Sequence, residues 1–160
     1  AGTRGLHQAY LERFLAYSTV SLLGLEVAFS FDVQTERIRI EAQPIIADYE
    51  RLFRVEYDYG EKALYCYDNV LHDVPFATGI DLYGLLQTWH VMKLVIDLAT
   101  RKYVRFILDD VVYDLSDYTS SEGAVILTPM IRVILMNTGR SGENDVVYFD
   151  DFIMTQNELA

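Results

Sequence analysis

Leu23, Leu25, Val27, Phe29 and Phe31 alternate without a break with Gly24, Glu26, Ala28, Ser30 and Asp32. Successive side chains of a strand point to opposite faces, so this period of two dictates a β-strand with one buried face. Most of the chain carries the same period. Arg37 to Ala42 alternates charged residues with apolar ones ahead of Pro44, and Tyr49 to Asp58 sets Phe53, Val55 and Tyr57 against Arg54, Glu56 and Asp58. Tyr59, Gly60, Glu61 and Lys62 then read as a hairpin turn into a short strand, Leu64 to Tyr67. Thr88 to Asp97, Tyr103 to Leu108, Val111 to Leu115, Met130 to Asn137 and Val146 to Thr155 are further strands, bounded by polar or glycine-containing turns. About ten short strands with few prolines predict an all-β fold, an antiparallel two-sheet sandwich of the jelly-roll kind. Residues 1–160 read as one domain. Its N-terminal segment, residues 1–22, is the ambiguous part, because Leu6, Tyr10, Leu11, Phe14 and Leu15 fit one face of a helix as well as a strand.

With 51% apolar residues, the 160-residue chain is long enough to bury about 70% of its unfolded surface in one core. Twenty-four acidic side chains against 13 basic ones give a formal charge of −11, which argues against nucleic acid, whose binding rests on Lys and Arg displacing counterions. No run approaches the roughly 20 apolar residues of a membrane span, so no membrane insertion is expected. Cys66 is the one cysteine, which excludes an intramolecular disulfide and a thiolate metal cluster.

Three stretches carry a resemblance. Trp89 to Asp97 with Arg101 to Arg105 and Tyr113 to Ser116, the closing run Val147 to Thr155, and the early run Gly24 to Asp32 together resemble an uncharacterised family of jelly-roll domains related to concanavalin A-like lectins and glucanases. The likeness covers roughly Leu23 to Thr155. It implies the fold, favours a strand before Leu23, and brings no activity with it.

Glu56, Asp58 and Glu61 form Glu-x-Asp-x-x-Glu, which resembles the signature of lectin-fold retaining glucanases, where two carboxylates about 5 Å apart act as nucleophile and acid/base. In such enzymes one strand aims the acids into a cleft. Here Gly60 sets Glu61 in a turn, and a single tryptophan leaves little to line sugar subsites, so a hydrolase using Glu56 and Glu61 is the third reading and no catalysis is expected. Tyr57, Tyr59, Tyr65 and Tyr67, crowded on one hairpin, together with Trp89, would stack on sugar rings in a lectin-like module, although tyrosine is also a common strand residue. Asp109-Asp110 reads as a hairpin turn. For Asp150-Asp151, strict alternation sends one carboxylate to the face of Phe149 and Ile153, where structural calcium, an arginine or backbone N–H groups would satisfy it. His7, His72 and His90 lack the close spacing of a zinc site, and His90 reads as structural. Gly139 to Asn144 reads as a turn-rich connection.

Three strands are apolar on both faces. Met92, Leu94 and Ile96 share a strand with Trp89, Val91 and Val95; Met130, Ile134 and Met136 alternate with Ile131, Val133 and Leu135; Val146 and Tyr148 alternate with Val147 and Phe149. Two sheets hide one face of each, and the other then calls for a partner or for a cover from Leu6 to Ala16 or Val70 to Gln87. The first expectation is therefore a non-catalytic interaction or structural module that self-associates or binds a protein partner, on a virion or another extracellular surface. Met92, Leu94, Ile96, Met130, Ile134, Met136, Val146 and Tyr148 are its expected interface.

Overall fold

A computed structural model describes residues 22–32, 35–85, 87–139 and 145–158, and the backbone of residues 6–13. All regular structure among the described residues is β, in two antiparallel sheets that form a jelly-roll sandwich. The strands are β1 (Leu6–Arg13), β2 (Leu22–Phe31), β3 (Thr35–Ile46), β4 (Tyr49–Asp58), β5 (Ala63–Asp68), β6 (His72–Thr78), β7 (His90–Asp97), β8 (Lys102–Leu108), β9 (Val111–Asp114), β10 (Ser121–Ala124), β11 (Met130–Gly139) and β12 (Val147–Gln156). Sheet A runs β1-β11-β3-β4-β5-β6, with β10 also on β4; sheet B runs β12-β2-β7-β8-β9. The ambiguous segment is a strand over Leu6–Arg13, on the edge of sheet A, and its continuation to Ala16 lies outside the described residues.

The alternating residues build the core. Leu23, Leu25, Val27, Phe29 and Phe31 of β2 are all buried and meet Ile38, Ile40, Phe53, Val55, Met92, Leu94 and Ile96 between the sheets. Each such side chain contributes about 1.5–3 kcal/mol on burial. Charge sets the register on the opposite face of sheet A. Arg37 pairs with Asp58, Arg39 with Glu56 and Glu41 with Arg54 across β3 and β4, so the sign reverses along the ladder. A slip of two residues would set Arg39 against Arg54, which penalises the wrong alignment. The β3–β4 connection is Ala47-Asp48, both with positive φ (52° and 65°), the geometry of a two-residue hairpin turn whose twist matches the strands.

Strand β3 runs on through Pro44, because the β3–β4 pairing lapses between Ala42–Phe53 and Ile45–Glu50, leaving no rung there for the missing N–H to break. Strands β6 and β10 lie outside the expected set. The β6 sequence carries Pro75 and polar residues on an edge, and β10 is Ser-Glu-Gly-Ala, held by pairing with β4 and not by propensity. β5 and β10 share one edge of β4, β5 taking Val55–Asp58 and β10 taking Tyr49–Leu52. In the gap between them the Tyr103 hydroxyl arrives from β8 across the core. It accepts from the Arg54 N–H (2.8 Å) and donates to the Tyr67 carbonyl (2.7 Å).

The back of sheet B is partly roofed by the chain itself. After β12 the Asn157 N–H donates to the Leu22 carbonyl (2.8 Å), and the Glu158 carboxylate lies over Gly24, 2.8 Å from Lys93 Nζ and 3.6 Å from Arg105. A Cβ at Gly24 would stand 2.5 Å from Thr155 Oγ1 and 2.6 Å from Glu158 Oε1, so glycine is what admits the tail. Val95, paired with Gly24 and Arg105, is fully buried beneath it.

Candidate functional site: the outer face of sheet A

On β3 and β4 the residues that alternate with the core project outward: Arg37, Arg39, Glu41 and Gln43 on one strand, Arg54, Glu56 and Asp58 on the other. Their charges satisfy one another. Glu56 accepts at one oxygen from Arg37 (3.0 Å) and at the other from Arg39 Nε (2.8 Å) and Nη2 (2.6 Å). Arg37 Nε also stands 3.0 Å from Asp58, whose other oxygen accepts the Glu61 N–H (2.9 Å). Glu41 accepts from Gln43, which in turn accepts from Arg132 (3.2 Å). Glu56, Asp58 and Glu41 are all buried. Burial pushes the Glu41 carboxyl above the usual carboxylate range, an effect that Arg39 and the Gln43 amide offset only in part.

Two tyrosines border this network. β5 places Tyr65 directly beside Glu56, and its hydroxyl donates to Glu61. Tyr67 follows two residues on and carries the Arg54 guanidinium 4.4 Å above its ring centroid, while Arg54 also pairs with Asp73 of β6. Tyr103, unmarked in the sequence reading, fixes the backbone of both Arg54 and Tyr67 from below. A polar face of preorganised forks beside half-buried aromatic rings is suited to holding a hydroxyl-rich ligand with a flat apolar side.

The five aromatic residues expected to form one platform are divided. Tyr65 and Tyr67 lie on this face, whereas Tyr57 is buried in the core with its hydroxyl donating to the Ile80 carbonyl (3.1 Å). Tyr59 packs edge-on against Phe31, with ring centroids 5.7 Å apart, and Trp89 enters β7 on sheet B. Strand parity explains the split, since Tyr57 alternates with Glu56 and Asp58. Of the three acids of the glucanase-like run, Glu56 and Asp58 share the outer face, and Glu61 stands exposed in the turn.

Asp150 and Asp151 sit at a β-bulge where the β12–β2 register shifts between Asp150 and Ile153. Asp151 takes φ 48° and donates its N–H to Asp150 Oδ1 (2.8 Å). The extra residue inverts the alternation, so Phe149 packs on the core, Ile153 is exposed, and both carboxylates face water; the shared face read from strict alternation is corrected accordingly. Among the described residues no group of three or more His, Cys, Asp or Glu is placed to hold a metal ion. His90 is buried, 2.9 Å from Asp109 through Nδ1 and against Phe29, and Asp109-Asp110 does form the β8–β9 turn. The connection read over Gly139 to Asn144 lies, past Gly139, outside the described residues.

The expected interface is largely withdrawn from the surface. Met92, Leu94 and Ile96 point into the core, Ile134 and Met136 are buried, and Met130 and Val146 are half-buried. Only Tyr148 of the eight is exposed. For β7 the reason is parity together with the tail, since one face fills the sandwich and the Glu158 clasp covers Val95 behind it, whereas Ile134 and Met136 lie opposite Glu41 and Arg39 on the outer side of sheet A.

No protein-family model matches the sequence, and no curated protein is similar to it. Solved structures do share its fold. A tetrameric galectin from the ball sponge Cinachyrella sp. aligns over 94% of this chain and 99% of its own at 11% identity, with a TM-score of 0.57. A mutant of the alginate lyase Aly36B in complex with an alginate trisaccharide aligns over 94% of this chain and 75% of its own at 10% identity, with a TM-score of 0.54. A sialidase aligns over 94% of this chain and 14% of its own, again at 10% identity and a TM-score of 0.54. At such identities the likeness is one of fold, and the chain is a jelly-roll sandwich of the kind that lectins and polysaccharide-active enzymes share.

Proposed function

We propose that the chain is a non-catalytic, lectin-like carbohydrate-binding module whose ligand lies on the outer face of sheet A, around Arg39, Glu56, Tyr65 and Tyr67. One observation carries this reading: the Arg37–Arg39–Glu56–Asp58 network is rigidly cross-bonded beside the two tyrosine rings. A pyranose offers vicinal hydroxyls, each both donor and acceptor, and a flat C–H face. Fixed guanidinium and carboxylate groups meet the former, and an aromatic ring the latter. The fold shared with a galectin over nearly its full length supports the reading, as does the fold shared with a lyase in complex with an alginate trisaccharide. Both oxygens of Glu56 are engaged by arginines, which supports a binding role over a nucleophilic one for this carboxylate.

A glycan array probed with the purified chain tests the proposal, followed by titration of each hit against Tyr67→Ala. Reproducible hits that weaken at least tenfold in that variant, with an unchanged circular dichroism spectrum, are expected. An array without hits, or hits indifferent to Tyr67→Ala, would overturn it, and polysaccharide hydrolysis lost in Glu56→Gln would replace it with an enzyme.

A further inference from the structure

We propose that His90 is a proton-operated latch: its imidazolium fastens the β6–β7 connection to the sandwich at Tyr83, and loss of one ring proton between about pH 5 and 8 releases it. The latch is read from what the two ring nitrogens face. Nδ1 stands 2.9 Å from Asp109 Oδ2, and Nε2 stands 3.4 Å from the Tyr83 carbonyl. An ionised carboxylate and a carbonyl both only accept, whereas a neutral imidazole carries a single N–H. A neutral ring therefore meets one of its neighbours lone pair to lone pair, and only the doubly protonated ring serves both sides. The Asp109 side is fixed. Its other oxygen accepts the Val91 N–H (2.9 Å) and its own N–H donates to the Val91 carbonyl (2.7 Å), which aims the carboxylate at the ring. The proton that faces this charge on the shorter bond is kept. The one given up is on Nε2, and the bond lost is the one to the connection.

The connection is seated at its start and tied lightly further on. Leu82 is buried in the core, the Ile80 N–H donates to the Lys62 carbonyl (2.9 Å), and the Ile80 carbonyl accepts from Tyr57. Past Leu82 the anchoring changes, with Tyr83 72% and Leu85 61% exposed. Among the described residues, the polar ties from here to the sandwich are the Tyr83 carbonyl on His90 and the Leu85 carbonyl on Ser30 Oγ (3.4 Å). The bonds from the Leu85 N–H to the Tyr83 carbonyl and from the Thr88 N–H to the Leu85 carbonyl stay within the connection. His90 and Ser30, the residues on which it rests, are both buried, so release opens this end of β2 to water.

The surroundings leave the latch under one charged control. β2 presents Phe29 and Phe31 to the ring, with centroids 5.6 Å and 6.1 Å away. The titratable groups that β4 and the turn after it bring against Phe31 are Tyr57 and Tyr59, and burial raises the Tyr57 hydroxyl further above this pH range. On the connection itself, Asp81 is held by Lys62 (2.9 Å). Among the described residues the charged group in contact with the ring is Asp109, with Asp110 exposed beside it in the turn. Because only the protonated ring makes both bonds, acid favours the fastened arrangement and rising pH undoes it.

Nuclear magnetic resonance of the isotope-labelled full chain from pH 5 to pH 8 tests the latch. The His90 ring nitrogens are expected to carry both protons at pH 5 and to have lost the Nε2 proton by pH 8. Over the same range the backbone order parameters of Tyr83 and Leu85 should fall from about 0.85 to below about 0.6, while that of Ile80 stays high. Asp109→Asn separates a latch from a merely structural histidine. Asparagine tolerates the φ of 51° at this position, its oxygen accepts the Val91 N–H, and its NH2 donates to Nδ1. A neutral ring then keeps Nε2–H for Tyr83, so this variant should stay fastened at pH 8. Order parameters indifferent to pH in the native chain overturn the proposal, as does a ring that stays neutral or stays charged throughout. A variant that loosens with pH as the native chain does overturns it too.

Discussion

Arg39 closes two of its nitrogens, Nε at 2.8 Å and Nη2 at 2.6 Å, on a single oxygen of Glu56, its direct partner across the β3–β4 ladder. The pair sits on the outer face of a sheet yet is largely out of water, with Glu56 buried and the Arg39 side chain 20% exposed. Deleting the cation leaves one oxygen of a buried carboxylate without its partner, with Arg37 holding the other. Arg39→Ala is therefore expected to lower stability by about 2–4 kcal/mol, read as a shift in the urea midpoint with an unchanged slope. Glu56→Gln keeps an acceptor oxygen for Arg39 but turns an NH2 donor toward Arg37, and is expected to lower stability as well.

Glu41 makes the opposite contribution. Burial raises its carboxyl above the ordinary range, so the folded chain holds this proton more tightly than the unfolded chain does. Stability then declines as pH climbs from the ordinary carboxylate value through the raised one. Glu41→Gln, which retains an acceptor for Gln43, removes that decline. Melting temperatures measured from pH 4 to pH 8 should converge at the acid end and favour the variant at neutral pH; a variant less stable at pH 7 would contradict the sign.

Tyr103→Phe deletes one oxygen that serves two strands. The Arg54 N–H and the Tyr67 carbonyl lose their partner in the opening between β5 and β10. An expected cost of about 1–3 kcal/mol follows from leaving buried polar groups unsatisfied. Because the lost bonds hold Arg54 and Tyr67 in place, glycan affinity at the sheet A face should fall too, which a ligand titration of the folded variant measures.

Gly24→Ala drives a methyl into Thr155 Oγ1 and the Glu158 carboxylate. Loss of the clasp and exposure of Val95 should cost about 1–3 kcal/mol. Hydrogen exchange at the Asn157 amide, bonded to the Leu22 carbonyl, should quicken more than exchange in the core of β2.

The Cys66 thiol is buried, and desolvation, helped by the nearby Asp68, pushes its pKa up to about 12. The thiolate is the reactive form. A disulfide reagent at pH 8 should leave the native chain unmodified and react at once in denaturant; prompt native labelling would show that β5 opens readily.

The strands with one wet face were legible because their period of two is itself the mark of burial on one side: β2 and β4 end within a residue of where alternation ends. β6 and β10 were not, since Pro75, Asp73 and Gly123 deny propensity, and only pairing with β5 and β4 makes them strands. The site was half legible. Glu56 and Asp58 stand out as acids on one strand, but Arg37 and Arg39 become their partners through the β3–β4 register, and Tyr103 reaches Arg54 from a strand of the other sheet. Strand β7, apolar on both sides, misled for the same reason, because nothing local announces that Glu158 will lie across Gly24.

The bulge at Asp150–Asp151 has one more effect. β12 is the outermost strand of sheet B, and a straight outer strand of ten residues would offer a neighbouring molecule an unbroken comb of donors and acceptors. Its teeth are out of step at the middle, where two carboxylates also stand in the way, so crowded copies should stay in solution instead of knitting themselves into endless ribbons.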